Sequence, residues 1–153
     1  MKMKTAVFIS VGLFLLTELA SARPLGIIIT PQELSDKADV VFTGAVLQVK
    51  ETGLKSEKKL GQNEPIPTKQ YKALIQVEQV EKGSPSGKIS LLYFSVDWDK
   101  LGTALTDGPW EIYLSEGKRY KFYLKRSSSD AENYLSVLDG EFDDGSAVEE
   151  VKQ

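Results

Sequence analysis

The chain contains no cysteine and no histidine. Without cysteine it has no disulfide, no thiol nucleophile, no iron–sulfur cluster and no cysteine-linked lipid. Without histidine it lacks the commonest general base near neutral pH and the commonest metal ligand. Basic residues are in the minority, 19 Lys and Arg against 22 Asp and Glu, for a net charge of −3. An acidic surface repels phosphate backbones at long range, so no nucleic-acid partner is expected. Long apolar runs are scarce too. The longest, Ala6–Leu16, has 11 residues and is broken by Ser10 and Gly12; a spanning helix needs about 20. Folding must therefore rest on burial alone, which 153 residues read as one domain can supply.

The apolar run has a context. Met1-Lys2-Met3-Lys4 is a cationic stretch before it, and Ala20-Ser21-Ala22 is a small-x-small pattern after it. This is the layout of a cleavable signal peptide, with the cut between Ala22 and Arg23. Losing Lys2, Lys4 and Glu18 with that leader moves the net charge from −3 to −4. The chain divides into a signal peptide over 1–22, a folded domain over 23–139 and an acidic tail over 140–153. The expected address is outside the cytoplasm, periplasmic or extracellular, with no membrane span after cleavage.

Along the mature chain the dominant period is two. Thr30-Pro31-Gln32-Glu33 first predicts a short helix to about Ala38, with Thr30 as N-cap and Glu33 completing a capping box. Strands are then predicted over 38–50, 69–82, 88–96, 118–126 and 133–138, where apolar residues alternate or run together. Gly44 interrupts the first strand and predicts a bulge. The polar stretch 51–68, with Lys55, Lys58 and Lys59, is expected to be a long loop. Residues 97–117 are expected to form a loop with a helical turn, Trp98 and Trp110 plugging one end of a barrel. Five strands, one short leading helix and glycine-rich turns define a mainly β chain: a five-stranded Greek-key barrel of the OB-fold type.

Three stretches carry a resemblance. They are Glu33-Leu34-Ser35-Asp36-Lys37-Ala38-Asp39-Val40-Val41-Phe42-Thr43-Gly44-Ala45-Val46, the strand ending Val80-Glu81-Lys82-Gly83, and Glu116-Gly117-Lys118-Arg119-Tyr120-Lys121-Phe122-Tyr123-Leu124. Together they resemble the bacterial branch of the tissue-inhibitor-of-metalloproteinases-like and netrin-module superfamily, over about Gln32 to Asp139. The resemblance implies a five-stranded OB-fold barrel. The animal inhibitors are built around an N-terminal cysteine that chelates the protease zinc. Arg23-Pro24-Leu25 stands at the expected mature terminus, so no inhibitory residue carries over.

Few constellations offer chemistry. Asp97 and Asp99 flank Trp98 and are carboxylates that a small hydrolase could use, though a solvated loop anchored by the tryptophan accounts for them as well. Asp139, Glu141, Asp143 and Asp144 are acidic but lack the spacing of a calcium loop. Ser127-Ser128-Ser129 beside Lys125 reads as a turn. Arg119, Lys121, Tyr123 and Lys125 are expected to face outward as a cationic stripe with one aromatic. With Trp98 and Trp110 they form a possible binding surface, and Tyr71, Tyr93 and Tyr123 are candidate stacking rings. No catalytic residue, metal or cofactor is assigned. The sequence reads as a non-catalytic exported binding module for a protein or peptide, acting at the barrel mouth or the 51–68 segment. The alternatives are an oligosaccharide- or nucleic-acid-binding OB-fold, or a carboxylate-dependent hydrolase.

Overall fold

Thr30 and Glu33 do what their spacing predicts. In the computed structural model, which describes residues 29–58, 65–101, 111–139 and 145–152, they start helix α1, Pro31–Lys37. The Thr30 hydroxyl accepts from the Glu33 N–H, and the Glu33 carboxylate accepts from the Thr30 N–H at 2.7 Å. That backbone bond, then the hydroxyl, holds the Glu33 carboxyl below its ordinary value. Leu34 and Ala38 are both buried, as their i, i+4 spacing requires.

Among the described residues six strands follow in chain order: β1 Val40–Lys58, β2 Ile66–Lys82, β3 Lys88–Val96, β4 Arg119–Arg126, β5 Asn133–Ser136 and β6 Val148–Glu150. One helical turn, α2, Trp98–Leu101, lies between β3 and β4. The sheet runs β1-β2-β3-β5-β4, and β4 returns to β1, closing a ring. The β3–β5 pair is parallel and the others are antiparallel. A mainly β ring of this kind is the expected OB-fold-like barrel. β6 joins the free edge of β4 beside β5, so the sheet continues past the boundary drawn at residue 139. No helix among the described residues is long and apolar enough to cross a membrane.

The interior is filled by alternate side chains: Val40, Phe42 and Val46 of β1, Ala73 and Ile75 of β2, Leu91 and Tyr93 of β3, and Tyr120, Phe122 and Leu124 of β4. Phe42 and Phe122 stack at 5.2 Å. Ile112 and Leu114 are buried with them, whereas Tyr113 between them is 73 % exposed. Those two aliphatic residues join the core; Trp98, expected to plug the barrel, lies at the surface, 41 % exposed, and Trp110 lies outside the described residues. Burying an aliphatic side chain leaves no polar atom to satisfy, whereas a buried indole N–H needs a partner.

β1 does not keep one register. Its pairing with β2 shifts at four places, one of them between Thr43 and Gly44. A Cβ on Gly44 would stand 2.6 Å from the Gln76 carbonyl oxygen and 2.9 Å from the Ile75 side chain. Only glycine lets the strands approach this closely. A second shift leaves Leu47 without a Cα partner. Beyond it the inward parity flips, so Val49 packs on the barrel core and Leu47 is exposed.

A smaller cluster lies behind the barrel: Leu34, Ala38, Val41, Tyr123, Val137, Leu138 and Ala147. It corrects one expectation. Tyr123 points away from the barrel interior but is only 2 % exposed, because Leu34 of α1, Ala38, Val137, Leu138 and Ala147 cover that side. Alternation fixes the direction of a side chain; it does not say what packs over it.

The stretch 51–68 is also corrected. Residues 51–58 belong to β1 and 66–68 to β2, in a hairpin that extends beyond the barrel. Residues 50–57 are exposed. With water on both faces there is no pressure for hydrophobic alternation, so periodicity carried no strand signal there.

Candidate functional site

That hairpin arm is built by strand pairing alone. β1 pairs with β4 only from Val40 to Ala45. After this its second edge is met by isolated bonds. The Val46 N–H donates to the Lys118 carbonyl at 2.9 Å, and the Val49 N–H donates to the Glu116 carboxylate at 2.8 Å. From Lys50 on, β2 is the only strand that pairs with β1 among the described residues. Gly53, at φ 84°, sits in a bulge between Glu51 and Lys55, where the Thr52 hydroxyl donates to Gln70 Oε1 at 2.9 Å. A bulge and lysines blunt an exposed edge against indiscriminate pairing.

The base of the arm is fixed by charge. Lys69 Nζ lies 2.9 Å from Asp99 Oδ2 and 3.2 Å from Asp97 Oδ1. Asp97 is 2 % exposed. Its Oδ1 makes no hydrogen bond, so the ammonium is close enough for charge but is not aligned for a bond. The Asp97 backbone also holds the local fold. Its N–H donates to the Pro67 carbonyl, and its own carbonyl accepts from Lys100 and Leu101 in α2. Asp99 first, and Asp97 second, push the Lys69 ammonium above its ordinary range, and the Lys69 bond lowers the Asp99 carboxyl. Both carboxylates are thus spent on one cation, an arrangement that clamps α2 to β2.

Glu111 performs a second fixing role that the sequence did not flag. Its carboxylate accepts from the Val96 N–H and the Ser95 hydroxyl, both at 2.5 Å, and from Trp98 Nε1 at 3.0 Å. It stands where a neighbouring strand would otherwise meet the end of β3. Tyr71 and Tyr93 stack at 5.7 Å on the inward face, and burial pushes the Tyr93 phenol up. They lie in the barrel and so do not join an outward stacking row.

The cationic stripe on β4 is occupied within the molecule. Arg119 pairs with Glu78 at 2.5 Å and Lys121 with Glu81 at 2.8 Å, while Lys125 donates to the Asp139 carbonyl at 2.8 Å. The first two pairs reach from β4 to β2 across β1. Ala45 lies opposite Arg119 and Thr43 opposite Lys121, and such small side chains leave room for the crossing. With Tyr123 buried, the stripe offers no ring and little free charge to a ligand.

The remaining sequence candidates are soon placed. Ala20, Ala22 and Arg23 lie outside the described residues, as do Trp110, Glu141, Asp143 and Asp144. Ser127 and Ser129 share a hydrogen bond at 3.1 Å in the β4–β5 turn. Among the described residues no group of three or more acidic side chains could hold a metal. No protein-family model and no curated protein matches the chain.

Proposed function

We propose that this chain is an exported, non-catalytic binding module that engages a protein or peptide partner through the β1–β2 arm. The observation that carries the reading is the arm itself: nine residues of β1, Lys50–Lys58, extend beyond the β4 pairing with their second edge unpaired by any described strand. An exposed strand edge is a template for main-chain hydrogen bonding, and side chains beside it add selectivity. Export follows from the leader-like first 22 residues. The likeness to the metalloproteinase-inhibitor and netrin-type modules rests on the three sequence stretches and is part of the proposal. Zinc chelation is left out of the proposal because the chain has no cysteine.

The test is site-specific photocrosslinking in a secreting host. A benzophenone residue at Leu54 on the arm is compared with one at Val80, which is similarly exposed on the barrel at 42 %. A discrete adduct is expected from Leu54 alone. Adducts from both positions, or from neither, would remove the arm from the proposal.

A further inference from the structure

The arm carries a charge arrangement that does not stabilise the chain by itself. Lys50 and Lys72 are directly opposed in the β1–β2 ladder, and so are Lys55 and Lys69. Opposed like charges destabilise a sheet. Asp97 and Asp99 relieve the second pair through Lys69. The first has no such relief: neither Lys50 nor Lys72 has an ion-pair partner among the described residues.

The surroundings of that unrelieved pair are specific. Tyr71, Ala73 and Tyr93 face the barrel core, so Gln70, Lys72, Leu92 and Phe94 face the other way. Lys72 lies opposite Leu92, and Gln70 opposite Phe94. Lys58 Nζ sits 5.4 Å from the centre of the Phe94 ring. Two residues further along β2, a cavity of about 290 Å³ is lined by Lys55, Ser56, Glu57, Pro67, Thr68 and Lys100. Along one strand face, therefore, come two unneutralised ammoniums and an aromatic ring with a third ammonium, Lys58, over it, whereas Lys55 of the cavity lies on the opposite face with Lys69.

Resting on the reading of the arm as a docking element, we propose the chemistry of its partner: an extended acidic peptide with an aromatic or aliphatic residue between two carboxylates. The step from Lys72 to Thr68 is four residues, about 13 Å at the strand rise. An extended peptide has the same rise, so its side chains i, i+2 and i+4 fall over the Lys50–Lys72 pair, the Phe94 row and the Thr68 row beside Lys58. A carboxylate between Lys50 and Lys72 removes their repulsion, so binding relieves a strain that folding left in place.

Fluorescence anisotropy on the processed protein tests this. The probe is a fluorescein-labelled Asp-Ser-Phe-Ser-Asp peptide, read against its scramble Phe-Asp-Asp-Ser-Ser, heparin and a single-stranded oligothymidine. The pattern peptide is expected to bind best, with affinity falling about tenfold for Lys72→Glu and for Lys50→Glu and unchanged for Lys88→Glu, at the far end of β3. Either charge reversal also gives its opposed lysine a carboxylate, so thermal stability is expected to rise as binding falls. Equal binding of the scramble, preference for either other polyanion, or retained affinity in both variants overturns the proposal. If Leu54 still forms its discrete adduct in that event, only the partner chemistry is lost. If that adduct is missing too, the arm reading goes with it.

Discussion

The barrel body and the arm use the same kind of strand pairing under opposite electrostatic rules. In the body, charges complement one another across strands: Glu78 with Arg119, Glu81 with Lys121, Glu150 with Lys118. In the arm, lysine opposes lysine twice within one hairpin. The body also buries its inward face completely at Phe42, Ala73, Ile75, Leu91 and Phe122, whereas the arm leaves residues 50–57 of β1 exposed. Burial makes the body insensitive to modest surface changes. The arm has little to lose on folding grounds, which leaves its composition open to a demand from outside the chain.

Mutations of decreasing severity can break or sharpen that contrast. Phe122→Ala should cost about 3–5 kcal/mol in denaturant titration, since it empties the stacked pair at the centre of the body. Gly44→Ala should cost about 1–3 kcal/mol, because the added methyl meets the Gln76 carbonyl and strand spacing must give. Arg119→Ala removes an exposed pair and should cost about 0.2–1 kcal/mol. Leu54→Ala, on the arm, should stay within about 0.5 kcal/mol. A large loss at Leu54 would mean that the arm is integral to the core, and the distinction would collapse. For the clamp, Asp97→Ala should lower the melting temperature more than Asp99→Ala, because Asp97 is buried and Asp99 is exposed.

The pH profile gives a further reading on the same division. Glu33 and Asp99 have folded-state values below their ordinary ones. Their contributions are present above the unfolded carboxylate range and fade as pH falls through the lowered values. Lys69, Lys118 and Lys121 have raised values, so their contributions are present below the ordinary lysine range and fade as pH climbs through the raised ones. With no histidine to titrate between the two flanks, thermal melts should show a plateau across neutrality. A steep slope near pH 6–7 would point to a further titrating group.

Much of the body was legible because its residues alternate under a real constraint. β3 was read at Lys88–Val96 and forms over those residues, since Ile89, Leu91 and Tyr93 must point inward. The α1 cap was legible because the Thr30–Glu33 spacing has one geometric use. The arm was not, because strands wet on both faces keep no apolar register. Tyr123 was misplaced because α1, far from it in sequence, packs over it. Glu111 and Glu116 gave no signal at all: a carboxylate accepting a strand-edge N–H looks, in sequence, like any surface acid. The lysine pairs became visible only once the register fixed which residues face each other.

The small cluster behind the barrel has one more consequence. Ile29, ahead of α1, and Ala147, just before β6, both pack into it, so the segments that lead into α1 and into β6 meet on the same side of the molecule. Val41 in that cluster lies near the start of β1, whose far end is the arm. Whatever grips the chain just ahead of α1 would hold the molecule by its back. The arm would then project forward, like the free end of a lever gripped at its pivot.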